Sequence, residues 1–187
     1  MDTLTERQKF CLAQRERFTT KRVLPDQSIF WEPKIKFGNG KCYIHPKVEF
    51  AGCGFGYETI NGKRLLIPHT GSIVIGNDVH IHAYTVVCPG TGDNDETVIG
   101  EGTKIDTRCH IAHNVKIGKN CLITSGVIIG GSAQIGDDVY IGIGALIRNK
   151  VKIGKGAIIG MGAVVVSDVA EGITVVGNPA KPLEKGK

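Results

Sequence analysis

From Ile99 the chain reads IGEGTK IDTRCH IAHNVK IGKNCL ITSGVI IGGSAQ IGDDVY IGIGAL IRNKVK IGKGAI IGMGAV VVSDVA, twelve six-residue units without a slip. The first position is Ile eleven times and then Val165, the second is most often Gly, and the fifth is always Ala, Val, Thr or Cys. A repeat of this kind limits the fold before any local propensity does. A helix would bring apolar residues back every three or four positions and a plain strand every two, so a period of six fits neither. It predicts a short strand followed by a turn, over and over. The first-position aliphatic points inward, the small residue after it permits a tight corner, and the fifth side chain also fits inside. Successive coils then stack through parallel strand hydrogen bonds about 4.8 Å apart.

Composition agrees with a stacked backbone. Glycine is abundant at 26 residues while aromatics make up only 6% of the chain, an odd balance for a core that leans on large rings. A length of 187 residues suits one domain. The net charge of +5 is mild and the cations are scattered among acids, which argues against a nucleic-acid surface and suits a small anionic ligand. The six cysteines, Cys11, Cys42, Cys53, Cys88, Cys109 and Cys121, lack CxxC spacing and are expected to be mostly buried thiols. The opening MDTLTERQKF carries acids and no apolar stretch, so neither a secretory signal nor a membrane span is expected, and the expected location is the cytoplasm.

The hexads resemble the hexapeptide-repeat family, whose [LIV]-[GAED]-x-x-[STAV]-x units wind into a left-handed parallel β-helix of triangular section, three hexads to a coil. That resemblance covers about residues 35–180 and implies about four coils from Ile99, with earlier turns over Ile75–Val87. The expected architecture is all-β: a left-handed β-helix over residues 31–187 with a short N-terminal cap over 1–30. The cap could be helical, since Thr3 and Glu6 have capping-box spacing. Two stretches rich in Gly, Pro and Asp, GFGYETINGKRLLIPHTGS (54–72) and CPGTGDNDET (88–97), read as loops leaving the coil. Excursions from a rigid scaffold are where function is usually placed.

His113 breaks the monotony of IAHNVK. It occupies the third position of its hexad, at a corner, where the ring is expected to be exposed. A coil of eighteen residues puts Gly131, Asn149 and Ser167 successively above it, and Asp95 one coil below. This grouping suits acyl transfer. An imidazole takes the proton from an attacking group, and a fixed backbone N–H at Gly131 stabilises the oxyanion. A side chain at Gly131 would obstruct an incoming thioester. Either Asn114 or Asp95 could orient the ring, and His110 in the same coil could line an acceptor pocket.

The segments GFGY, IPHTGSIVIGNDV, DETVIGEGTKID and IAHNVKIG resemble those of UDP-3-O-acylglucosamine N-acyltransferases, which implies that His113 is the general base. The downstream half, IGIGALIRNKVKIGKGAIIGMGAVVVSDV to VVGNPAKPL, is similar to nucleotide-amino-sugar N-acetyltransferases. There a backbone N–H one coil above the histidine contacts the thioester carbonyl, which maps onto Gly131. The second histidine of the lipid-pathway enzymes corresponds to Asn149-Lys150, and neither their uridine-binding domain nor their helical extension is expected in this chain. The resemblance therefore implies acetyl-CoA as donor and a nucleotide-linked amino sugar as acceptor. It also implies a homotrimer with sites between subunits. Donor contacts would come from Gly131, Asn149, Lys150, Ser167 and Lys181, within a basic run that includes Arg148, Lys152 and Lys155. A sugar O-acetyltransferase, a longer-chain N-acyltransferase and a non-catalytic assembly module are the alternatives. His80 and His82 invite a zinc reading, but HIH and HIAH are not the H-x₄-H pair of the β-helical carbonic anhydrases, and no metal is expected.

Overall fold

The hexad period becomes strand pairing with an eighteen-residue register. Ile99 pairs with Ile117, Ile117 with Ile135, and Ile135 with Ile153, each partner one coil on. Ile105, Ile123, Ile141 and Ile159 form a second ladder, and Ile111, Ile129, Ile147 and Val165 a third. A computed structural model describes residues 33–51 and 54–183, with two further short strands, Arg22–Val23 and Ile29–Phe30, that pair antiparallel. The remainder of the expected cap, including Thr3 and Glu6, lies outside the described residues.

Three sheets form the sides of a prism. The first runs from Lys34–Phe37 through Ser72–Ile75, Glu96–Ile99, Lys116–Ile117 and Gln134–Ile135 to Lys152–Ile153. The second begins at Tyr43–Ile44 and His80–Ile81 and continues to Ile158–Ile159 and Thr174–Val176. The third stacks Glu49–Phe50, Val86–Val87, His110–Ile111, Ile128–Ile129, Leu146–Ile147 and Val164–Val165. Coils therefore continue below Ile75, and no helix occurs among the described residues.

The core is a column of first-position isoleucines, closed at each corner by fifth-position Val, Ala, Cys or Thr. Threonine is tolerated there because its hydroxyl finds a neighbouring carbonyl: Thr103 Oγ1 donates to the Gly118 oxygen at 2.9 Å. The thiols of Cys109 and Cys121 point at the carbonyls of Thr124 and Gly136, each 3.1 Å away. Cys88, Cys109 and Cys121 are buried and Cys42 is half-buried, with no disulfide among them; Cys11 and Cys53 lie outside the described residues. Stack spacing explains the second-position glycine at Gly100, where a Cβ would fall 2.4 Å from the Gly118 carbonyl oxygen of the next coil.

Both excursions differ from the simple loops that the sequence predicts. In the first, Tyr57–Ile60 and Lys63–Leu66 pair as an antiparallel hairpin around Asn61-Gly62. Both turn residues have positive φ, 51° and 74°, the geometry an Asn-Gly pair supplies for a two-residue connection. Ser72 already belongs to the following strand. The second excursion ends at Asp95 instead of 97, because Glu96 and Thr97 pair with Ser72 and Ile73 and Thr97 is buried. Across that excursion the third sheet pairs Val86 with His110, so this coil is one hexad longer than the eighteen-residue coils above it, while the coil that carries the hairpin, from Glu49 to its partner Val86, is longer still. At the far end, Thr174–Val176 joins the second sheet in parallel and Lys181–Pro182 turns back against it antiparallel.

Candidate active site

His113 sits on the corner between the third and first sheets, two residues after the strand His110–Ile111. The coil above is locked to it: the Ser132 N–H donates to the His113 carbonyl at 2.8 Å, and the Lys150 N–H to the Gly131 carbonyl at 3.0 Å. A Cβ built on Gly131 would lie 2.6 Å from both Cε1 and Nε2 of His113. The glycine is thus required by the imidazole ring itself, which lies directly beneath it. Among the described residues no acceptor takes the Gly131 N–H.

The ring is not exposed as the sequence predicts. It is half-buried with Nδ1 shielded from solvent, because a second histidine closes the corner. His69, at the end of the hairpin excursion, meets it edge to face with ring centroids 5.2 Å apart and planes at 61°. His69 is only 4% exposed, and its Nδ1 lies 3.0 Å from the Ile67 carbonyl, which can only accept, so Nδ1 carries the proton. Burial pushes its pKa down to about 4; the neighbouring His113 adds to that, and the bond to Ile67 opposes it. Sequence reasoning did not single out His69, although IPHTG stands in one of the quoted segments.

Asn114 and Asp95, the two residues that sequence reasoning left as candidates to orient His113, are engaged elsewhere. The Asn114 side chain accepts from the Thr91 N–H at 2.8 Å and donates to Asp95 Oδ2 at 3.2 Å. The same Asp95 oxygen accepts from Thr91 Oγ1 at 2.8 Å and the Gly92 N–H at 2.9 Å. Chiefly the Thr91 hydroxyl, with help from Gly92, Asn114 and nearby Lys116, holds its carboxyl below the usual range against the opposing effect of burial. The pair staples the second excursion onto the corner.

His110 lies one strand earlier on the outward side of the third sheet, between Val86 and Ile128, half-buried and with its pKa lowered by that burial. The pairing of Ile147 with Val165 sets Asn149 and Ser167 in the column above Gly131, with Lys150 exposed beside them. Lys181 is not brought to this corner: the chain reverses after Val176, and Lys181 pairs with it on the second sheet. On the first sheet an open groove of about 810 Å³ is lined by Lys116, Gln134, Lys152, Asp168 and Glu171 and reaches Gly136 and Gly154, at the corner on the other side of that sheet from His113. His80 lies 3.4 Å from Asp78, and no group of three or more His, Cys, Asp or Glu that could hold a metal occurs among the described residues.

Residues 96–131 and 132–167 each match the family model of the bacterial transferase hexapeptide (six repeats). The chain is a left-handed parallel β-helix built from that repeat. Among curated proteins it is similar to UDP-3-O-acylglucosamine N-acyltransferase 1 of Legionella pneumophila (strain Paris), 51% identical over 53 residues, which cover 28% of this chain and 14% of the relative. It is also similar to the UDP-3-O-acylglucosamine N-acyltransferase of Polynucleobacter asymbioticus, 33% identical over 90 residues, covering 46% of this chain and 24% of that one. The chain thus matches no more than about a quarter of the length of either relative. In the UDP-N-acetylglucosamine O-acyltransferase of Moraxella catarrhalis, 24% identical, the fold is shared over 80% of this chain and 56% of that chain with a TM-score of 0.70.

Proposed function

We propose that this protein is an acyltransferase that moves an acetyl group from acetyl-CoA to the amino group of a nucleotide-linked sugar, with His113 as general base. The observation that carries the reading is the seating of the His113 ring directly beneath Gly131, whose N–H no described residue takes. The acceptor amine attacks the thioester carbonyl, forming the C–N bond. His113 receives the proton that the amine loses, and the Gly131 N–H stabilises the carbonyl oxygen as it becomes an oxyanion. When the C–S bond breaks, the protonated imidazole returns its proton to the leaving coenzyme A sulfur.

An amine acceptor is favoured by the N-acyltransferase relatives, whose identity is high where they match. A phosphate-carrying donor is suited by Lys150, exposed beside Asn149 and Ser167 in the column above Gly131, and by Lys116 and Lys152 on the adjoining first sheet. The hairpin turns Phe55 and Tyr57 out to solvent, their ring centroids 5.1 Å apart, which suits stacking on a planar base. We read the assembly as a cytoplasmic homotrimer. Leu122, Tyr140 and Ile158 stack outward on the second sheet and Ile128 and Leu146 on the third, with Ile143 and Met161 exposed on the edge between them. An uncharged surface of this extent marks an interface.

The test is free-thiol release from acetyl-CoA over a panel of UDP-linked amino and hydroxy sugars, with the product treated by mild alkali to separate amide from ester. Turnover on an amino sugar, reduced about 10²–10⁴-fold in His113→Ala, is the expected result. Full activity in His113→Ala, or no calorimetric binding of coenzyme A or acetyl-CoA, would overturn the reading.

A further inference from the structure

We infer that His69 is the positioning residue for His113: the hairpin excursion delivers its ring edge-on to the base and so fixes the orientation of His113 beneath Gly131. The inference rests on the reading of His113 as the base. It goes beyond that reading in naming what holds the base.

The two residues adjacent in sequence or register are already committed. Asp95 takes three donors from its own excursion and from Asn114, and Asn114 is divided between Thr91 and Asp95. His69 is the imidazole in contact with the ring, at 5.2 Å between centroids and 61° between planes. Its own orientation is set from both ends. Nδ1 is tied to the Ile67 carbonyl at 3.0 Å, and a Cβ on Gly54 would stand 2.9 Å from Nε2, so the chain that leads into the hairpin passes directly against the ring. Gly56 makes a similar approach, with 3.4 Å between its Cβ position and Cε1 of His69. The glycines of GFGY therefore let the backbone close over His69, His69 closes on His113, and Gly131 covers the top. A ring held on two sides cannot turn freely about χ1 and χ2. Edge-to-face contact is moreover a preferred arrangement of such rings.

The electrical character of His69 suits this role. It stays neutral down to acidic pH, so it neither competes for the proton His113 must accept nor adds a second positive charge beside it. Because one charge beside another is unfavourable, the pair carries at most one positive charge under working conditions.

Three variants separate orientation from hairpin seating. His69→Phe keeps a ring edge but loses the bond to Ile67, His69→Gln keeps a donor for Ile67 but loses the ring, and His69→Ala loses both. If the ring contact positions the base, kcat falls about 10- to 100-fold in His69→Gln and His69→Ala with KM little changed, and His69→Phe recovers most of it. Nitrogen-15 NMR of the His113 imidazole reads the same property without any substrate. The wild type should show one dominant tautomer with a single titration midpoint, and His69→Ala should show a displaced midpoint and mixed tautomers. Identical His113 spectra and midpoints in all four proteins would overturn the inference, as would rescue of kcat by Gln and not by Phe. Altered spectra in a protein that transfers no acetyl group would instead count against the functional reading and leave the positioning role standing.

Discussion

A buried neutral histidine makes the fold acid-sensitive by a calculable amount. His69 binds a proton with a pKa near 6.5 in the unfolded chain but only at about 4 in the folded one. Between those values the unfolded state holds more protons, so stability rises with pH through this window and is lost as the pH falls from 7 to 4. Integrating the two titrations over that interval gives a loss of about 3 kcal/mol from this one group, and with the side chain 4% exposed solvent screening discounts little of it. For a chain of 187 residues, that corresponds to a fall in Tm of about 6–12 °C beyond whatever the other groups contribute. His69→Phe removes the titrating group and leaves those contributions in place. They include His110, whose lowered pKa acts in the same direction, and the carboxyls of Asp78, Asp95, Glu96 and Asp106, which lose their stabilising effect at lower pH. Thermal melts followed by far-UV circular dichroism at fixed protein concentration, from pH 7 to pH 4, should therefore show the wild type losing stability more steeply than the variant. Parallel curves would refute the burial and neutrality assigned to His69.

Gly131→Ala should lower turnover by about 10²-fold while the protein still folds, because the new methyl meets the His113 ring at 2.6 Å and a side chain can swing away where backbone cannot. Activity within twofold of wild type would show that the corner has slack. Cys109 and Cys121, buried with pKa values raised chiefly by that burial, should resist a disulfide exchange reagent in the native protein and react once guanidinium unfolds it. Native labelling at the rate of an exposed thiol would contradict their placement.

The coil was legible because its period is enforced by stacking. An inward isoleucine every six residues has no other use, and counting eighteen from His113 arrives at Gly131 as the structure does. Counting back eighteen also led to Asp95. Register alone could not show that this carboxylate is taken up by Thr91, Gly92 and Asn114 inside the excursion. His69 was illegible for a related reason. It lies on an aperiodic segment, and only the Asn61-Gly62 turn, which folds Tyr57–Ile60 back on Lys63–Leu66, brings the chain to the corner. Nearness in sequence to the end of the stack likewise did not reveal that the chain reverses at Lys181 onto the second sheet.

A stack of parallel coils is in principle an open lattice, since each coil presents to the next the hydrogen-bonding pattern that it received from the last. The reversal after Val176 ends that propagation. Along the second sheet an antiparallel strand containing Pro182, which has no N–H, replaces the template that a further parallel strand would need. On the third sheet the Val164 N–H is taken by Gly177 and the Val164 carbonyl by Ala180. On the first sheet Val169 occupies the edge of Lys152–Ile153. The turn that carries Lys181 back onto the second sheet thus leaves, at this end of the stack, no run of parallel edges on which a further coil could template.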